Sequence, residues 1–116
     1  MKIKAGKTTV TTFGTEVPLS SEKLEVKWLR IDAETNPIWI GDGDITTITY
    51  VKDENGDDTS DIESASFTGV RLEVGEHLEI NAADMGGLLD LNTVYVDCHS
   101  KGAEKVTSAN WIAVIE

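Results

Sequence analysis

Apolar residues recur along this chain at every second position, in short runs separated by turn-forming residues. Leu24, Val26 and Trp28 have period two, the signature of a half-buried strand. They predict a strand over Leu24–Ile31, in which Trp28 and Leu29 are consecutive and Ile31 continues on the opposite face. That phase change fits a β-bulge or a strand covered on both sides. A polar turn over Asp32–Pro37 leads to a short return strand, Ile38–Ile40, with Trp39 opposed to its two isoleucines. Together they predict a hairpin-like unit.

The same pattern predicts strands over Ile45–Val51, Ile62–Leu72 (interrupted at Gly69), His77–Ile80, Leu91–Cys98 and Val106–Ile115. Thr8–Phe13 is a Thr-rich, weakly patterned strand expected at an edge, and the polar residues 1–7 are expected to be loose unless a partner orders them. Asn55-Gly56 is the strongest hairpin signal, and in Gly41-Asp42-Gly43-Asp44 both glycines can take positive φ. Asp84 is a candidate cap for a single helical turn within Asn81–Leu89. About eight short strands spaced by turns suggest a sandwich or barrel. The expectation is an all-β protein, one antiparallel β-sandwich of jelly-roll type, with residues 1–13 as an N-terminal arm or edge strand and 14–116 as the sandwich.

Composition agrees with that pattern. Thr, Val and Ile are plentiful and suit a pleated surface, and 116 residues suffice for one core without metal or disulfide staples. The formal charge of −11 argues against nucleic acid and anionic membranes as partners. The charge is uneven: residues 1–31 hold six basic and three acidic side chains, residues 52–104 three and thirteen. A mildly basic N-terminal segment on an acidic body can bind a neighbouring copy or another partner, and the simpler account is a solvated surface kept soluble by charge. The start lacks the apolar run of a signal peptide, which points to synthesis in a reducing cytoplasm.

Candidate chemistry is sparse. Cys98, the lone cysteine, alternates with Val94 and Val96 and reads as a buried structural thiol. His77 and His99 are the two histidines; His99 is next to both Cys98 and Ser100, and strand neighbours point to opposite faces, so neither pair forms a nucleophile–base dyad. No enzyme and no cofactor are expected. Asp53, Asn55 and Asp57 share the spacing of a calcium loop, but the glycine falls fourth and Ser64 stands where a bidentate Glu is needed, so a hairpin turn explains them better. Trp28 and Trp111 are expected in the core. Trp39 is expected on a second buried face or a subunit interface, with a sugar-stacking platform as the alternative.

Three stretches carry a resemblance: VPLSSEKLEVKWLRIDAETNPIWIGDGDIT, FTGVRLEVGEHLEI and DLNTVYVDCHSKGAEKV. Their shared positions are Pro18, Leu19, Ser20, Asn36, Ile40, Gly41, Asp42, Gly69, Leu72, Gly75, Glu76, Tyr95, Val96 and Asp97. Over roughly residues 17–108 the chain resembles small β-sandwich virion structural proteins of tailed bacteriophages, associated with heads, necks or fibres. It departs from them in a longer hairpin at Asp53–Asp61 and a longer segment at Asn81–Leu89. The resemblance implies a non-enzymatic virion protein, made in the host cytoplasm. It would form a homo-oligomer (a trimer or other ring) and dock on a capsid, neck or tail component. A decoration protein of the head is the first expectation. A carbohydrate- or receptor-binding module of a fibre is the alternative, and a calcium-stabilised adhesion-type domain a further one. Edge strands are natural sites for added copies, which makes Thr9, Thr11 and Phe13 candidate interface contacts alongside Trp39.

Overall fold

The computed structural model describes residues 2–11, 14–98 and 107–115. Phe13, His99, Ser100 and Val106, each given a place above, lie outside the described residues. The strands are β1 (Lys2–Val10), β2 (Val17–Pro18), β3 (Glu25–Val26), β4 (Trp28–Ala33), β5 (Ile38–Gly41), β6 (Thr46–Lys52), β7 (Asp58–Phe67), β8 (Val70–Leu72), β9 (His77–Asn81), β10 (Leu89–Asp90), β11 (Tyr95–Cys98) and β12 (Thr107–Ile115). Single 3₁₀ turns stand at Ala83–Met85 and Leu91–Thr93. The protein is all-β, and every strand pair is antiparallel.

Two four-stranded sheets, ordered β1-β12-β4-β9 and β2-β11-β5-β8, face each other. The inner residues of the first (Val10, Leu29, Ile31, Ala33, Ala109, Trp111, Ala113) and of the second (Ile38, Ile40, Leu72, Val96, Cys98) belong to one buried cluster. Each sheet is therefore apolar on the face that meets the other, as a sandwich requires.

The turn after β4 does not make a hairpin. β4 pairs with β12 and β9, and β5 pairs with β11 and β8. Residues 34–37 instead carry the chain across the sandwich, because both strands bury apolar side chains that must meet face to face. The phase change near Trp28 is an interruption at Lys27, whose N–H donates to the Val114 carbonyl (2.7 Å) and whose carbonyl accepts from Ala83 N–H (3.1 Å). After buried Val26 the next inward residue is therefore Leu29, and Trp28 turns to the outer face, half-buried. Trp28 is thus not a core residue, whereas Trp111 is.

Residues 2–7 also differ from expectation. β1 pairs with β12 from Lys2↔Ile115 to Val10↔Thr107 and forms the edge of its sheet. An exposed edge strand needs no alternation of apolar residues, so its polar sequence does not announce it. Gly6 lies under the Trp111 ring, and a Cβ there would come within 2.5 Å of Cζ2. In the Gly41-Asp42-Gly43-Asp44 turn only Gly43 has positive φ. The turn at Ala83–Met85 is held by Asn81, whose carboxamide accepts from Asp84 N–H (3.2 Å), so Asp84 does not cap it. Asp90 caps the other turn: its Oδ1 accepts from the N–H of Asn92 and Leu24 (each 3.0 Å), which holds its carboxyl below the usual range.

β7 and β8 are separated at Gly69, as the sequence indicates. Its φ is +125°, and a Cβ would sit 2.1 Å from the Ile40 carbonyl oxygen. Because that obstacle is backbone of the neighbouring strand, Gly69→Ala should lower unfolding free energy by about 3 kcal/mol or more in a denaturant titration. A loss below about 1 kcal/mol would show that this crossing is not rigid.

Candidate functional site

Function, if it lies in docking, lies on what the sandwich leaves uncovered. Three places stand out: the β6–β7 hairpin, the outer face of the β1-β12-β4-β9 sheet, and a cleft at one open edge.

The hairpin is inserted between β5 and β8, and among the described residues its strands pair only with each other. Beyond its root it is mostly exposed, with Ile48, Tyr50 and Ile62 half-buried along one side. The molecule measures 59 × 25 × 21 Å with a radius of gyration of 15.8 Å, against roughly 13 Å for a compact chain of this length. The hairpin is an arm. Its tip follows from local chemistry: Gly56 takes φ +82°, and Asp53 Oδ1 accepts from Asn55 N–H (2.9 Å) and Asp57 N–H (3.0 Å). The Asp53 carboxylate with calcium-loop spacing thus serves the turn. Among the described residues no group of three or more His, Cys, Asp or Glu is placed to hold a metal ion. Register shifts between Thr49 and Lys52 add bulges that bend the arm.

The root of the arm covers the outer face of the β2-β11-β5-β8 sheet. Phe67 stacks on Trp39 with centroids 4.8 Å apart and ring planes 4° apart. Thr46 Oγ1 donates to Asp97 Oδ2 (2.5 Å), and Asp97 Oδ1 accepts from Cys98 N–H (2.8 Å). Asp97 faces outward by strand alternation, yet it is fully buried, because the root lies over it. Trp39 is half-buried in this packing, with one ring face taken by Phe67. Sequence alternation gives the direction of both side chains. It cannot give their cover, since Thr46 and Phe67 are distant in the chain.

The other candidate contacts lie on β1 or just after it. Thr9 is exposed on the sheet's outer face, its hydroxyl 3.1 Å from Ser108 Oγ, and Thr11 is exposed beyond the strand's end. Trp39 and Thr9 are on different sheets, so the structure does not gather these residues into one site. The outer face that includes Thr9 also carries Ile3 (70% exposed), Ile112 (37%), Val114 and Trp28 in neighbouring strands. Sequence reading missed this apolar band, because Ile3 lay in a segment read as loose. At the opposite edge a mainly apolar cleft of about 560 Å³ opens between the sheets, lined by Ile40, Val70, Leu78, Ile80, Leu89 and Val94 among others.

Titratable chemistry at these places is modest. Cys98 is buried, and burial followed by the nearby Asp97 charge pushes its thiol up to about 11. His77 is exposed, 3.6 Å from Glu79 on the same strand. Glu34 is held low by Lys7, which reaches it at 2.9 Å. No helix among the described residues is long and apolar enough to cross a membrane. No protein-family model, curated protein or solved structure matches the chain.

Two outcomes follow from the buried pair at the root. Asp97→Ala strands the Thr46 hydroxyl and the Cys98 N–H, and should cost about 1–3 kcal/mol in thermal or chemical unfolding; no loss would mean that the root does not depend on the carboxylate. Cys98 should resist a thiol reagent at pH 8 until the protein is unfolded. Its folded pKa is above its unfolded value, so the stability it contributes is present below about 9 and is lost as pH rises through about 11. A titration of unfolding free energy against a Cys98→Ala control checks the sign; a native thiol that reacts promptly at pH 8 would contradict it.

Proposed function

We propose that this protein is a structural component of a bacteriophage virion, an oligomeric protein that decorates or caps the head by docking on other subunits. The observation that carries the reading is the strand order. With the arm and the separate two-stranded β3–β10 pair set aside, the two four-stranded sheets keep eight strands among the described residues, and numbered in chain order they run 1-8-3-6 in one sheet and 2-7-4-5 in the other. That order supports reading the sandwich as a jelly roll, a fold that recurs in viral capsid proteins, lectins and cupins. A fold alone does not fix a role. Two further features favour assembly: the exposed apolar band around Ile3 and Ile112, and a projecting arm set in the connection between strands. The motif resemblance to phage virion proteins points the same way. Trp39, the platform a fibre lectin would need, has one ring face packed on Phe67.

The test is direct. Purified protein is added to phage particles assembled without it, and the particles are imaged by electron microscopy. Density at one class of symmetry-related positions, saturating at a fixed number of copies per particle, is the expected outcome. Particles that stay bare at saturating protein would refute the proposal.

A further inference from the structure

Strands β1 and β7 carry opposite charges at matching intervals. Lys2, Lys4 and Lys7 stand on β1, and the chain has no acidic residue before Glu16. Asp58, Asp61 and Glu63 stand on β7, which has no basic residue. Laid antiparallel with Lys4 opposite Asp61, the two strands bring Lys2 opposite Glu63, Lys7 opposite Asp58, and Ile3 beside Ile62. Opposite charges directly across an antiparallel pair attract, and like charges there repel. A parallel arrangement does not align all three pairs.

Both strands are open to such a neighbour. Among the described residues β1 ends its four-stranded sheet, and β7 has a partner on one side only. The half of β1 that carries the lysines is exposed from Lys2 to Ala5, where Ile3 is 70% exposed. Among the described residues Lys2, Lys4, Asp61 and Glu63 make no ion pair, so these four are uncommitted. Lys7 and Asp58 are held within the chain by Glu34 and Lys52 and would have to exchange partners. Register shifts along β7 interrupt a regular ladder, so side-chain charge more than backbone pairing sets the contact.

Within one chain the two strands lie in separate sheets. We propose that the arm of one copy docks β7 antiparallel along the β1 edge of a second copy, with Lys2–Glu63 and Lys4–Asp61 as the anchoring pairs. The proposal rests on the reading of the chain as an assembling component and names a second copy as the partner. Each copy offers one arm and one edge, so the contact is head-to-tail and closes into a ring where the rotation permits. The contact is electrostatic and exposed, so it weakens with salt.

The experiment is sedimentation of the full chain across concentration, without any phage particle. Three samples are compared: wild type, Lys2→Glu/Lys4→Glu, and Asp61→Lys/Glu63→Lys. Deleting β1 would remove Val10 from the core, so charge reversals are used, and circular dichroism checks that each variant keeps the wild-type fold. Wild type should self-associate at low salt, and its dissociation constant should rise at least about tenfold between about 50 mM and about 500 mM salt. Each variant alone should weaken by a similar factor or more, while an equimolar mixture of the two should associate again, since both contacts between them are then complementary. Wild type that stays monomeric at low salt would overturn the proposal. So would variants that associate as wild type does, or a mixture no stronger than its components. Bare particles in the imaging experiment alongside a restored mixture would refute the virion role and leave this contact standing; the reverse pair of results would do the opposite.

Discussion

The two inner faces of the sandwich have only each other to bury against. Leu29, Ile31 and Ala33 on β4, and Ile38 and Ile40 on β5, are five residues of one short stretch, yet they sit in opposite sheets. The chain between them passes from one sheet to the other because a hairpin would leave one apolar face in water, and burial of apolar area is the dominant favourable term in folding. The rest follows from that crossing. β12 and β9 are recruited beside β4, β11 and β8 beside β5, and β1 is added at the end of its sheet. Gly69 and Gly6 mark where backbone or an indole ring comes too close for any side chain.

Onto this body the chain adds an arm that contributes little to the core. A two-stranded hairpin alone is marginal in water, so its root matters. Phe67 on Trp39 and Thr46 on Asp97 tie it down, and the same contacts bury a carboxylate next to the Cys98 thiol. Past the root the arm is acidic and exposed, and the β1 edge strand carries Lys2, Lys4 and Lys7. A body closed by its core, with two exposed strands of opposite charge, is suited to joining copies of itself, which is what the proposed role in a virion requires.

Much of the sandwich was legible in the sequence. Period-two runs placed Val26, Ile38, Ile40, Val96 and Cys98 on inner faces, and Asn55-Gly56 and Gly69 marked the arm's tip and the break after β7. What failed was set by neighbours far along the chain. The shift at Lys27 depends on Val114 and Ala83, so nothing local says that Trp28 faces out. The pairing of Lys2–Lys7 depends on β12 at the other end of the chain. Ile48, Tyr50 and Ile62 alternate as sandwich residues do, and they form an arm because no third strand among the described residues lies beside them. The candidate contacts Trp39 and Thr9 were found as residues, but their surroundings differ: one is packed under Phe67, the other lies open on the outer face.

Hydrogen exchange read by mass spectrometry, on dilute and on concentrated protein at low salt, tests the central claim most directly. Amides report local opening, and cores exchange slowest. The account predicts slow exchange in β4, β5, β11 and β12 at both concentrations, and fast exchange over Val51–Glu63 in dilute protein. On concentration, β7 and the Lys2–Lys7 half of β1 should slow together. An arm as protected as the core in dilute protein, or an assembly that slows neither strand, would contradict it.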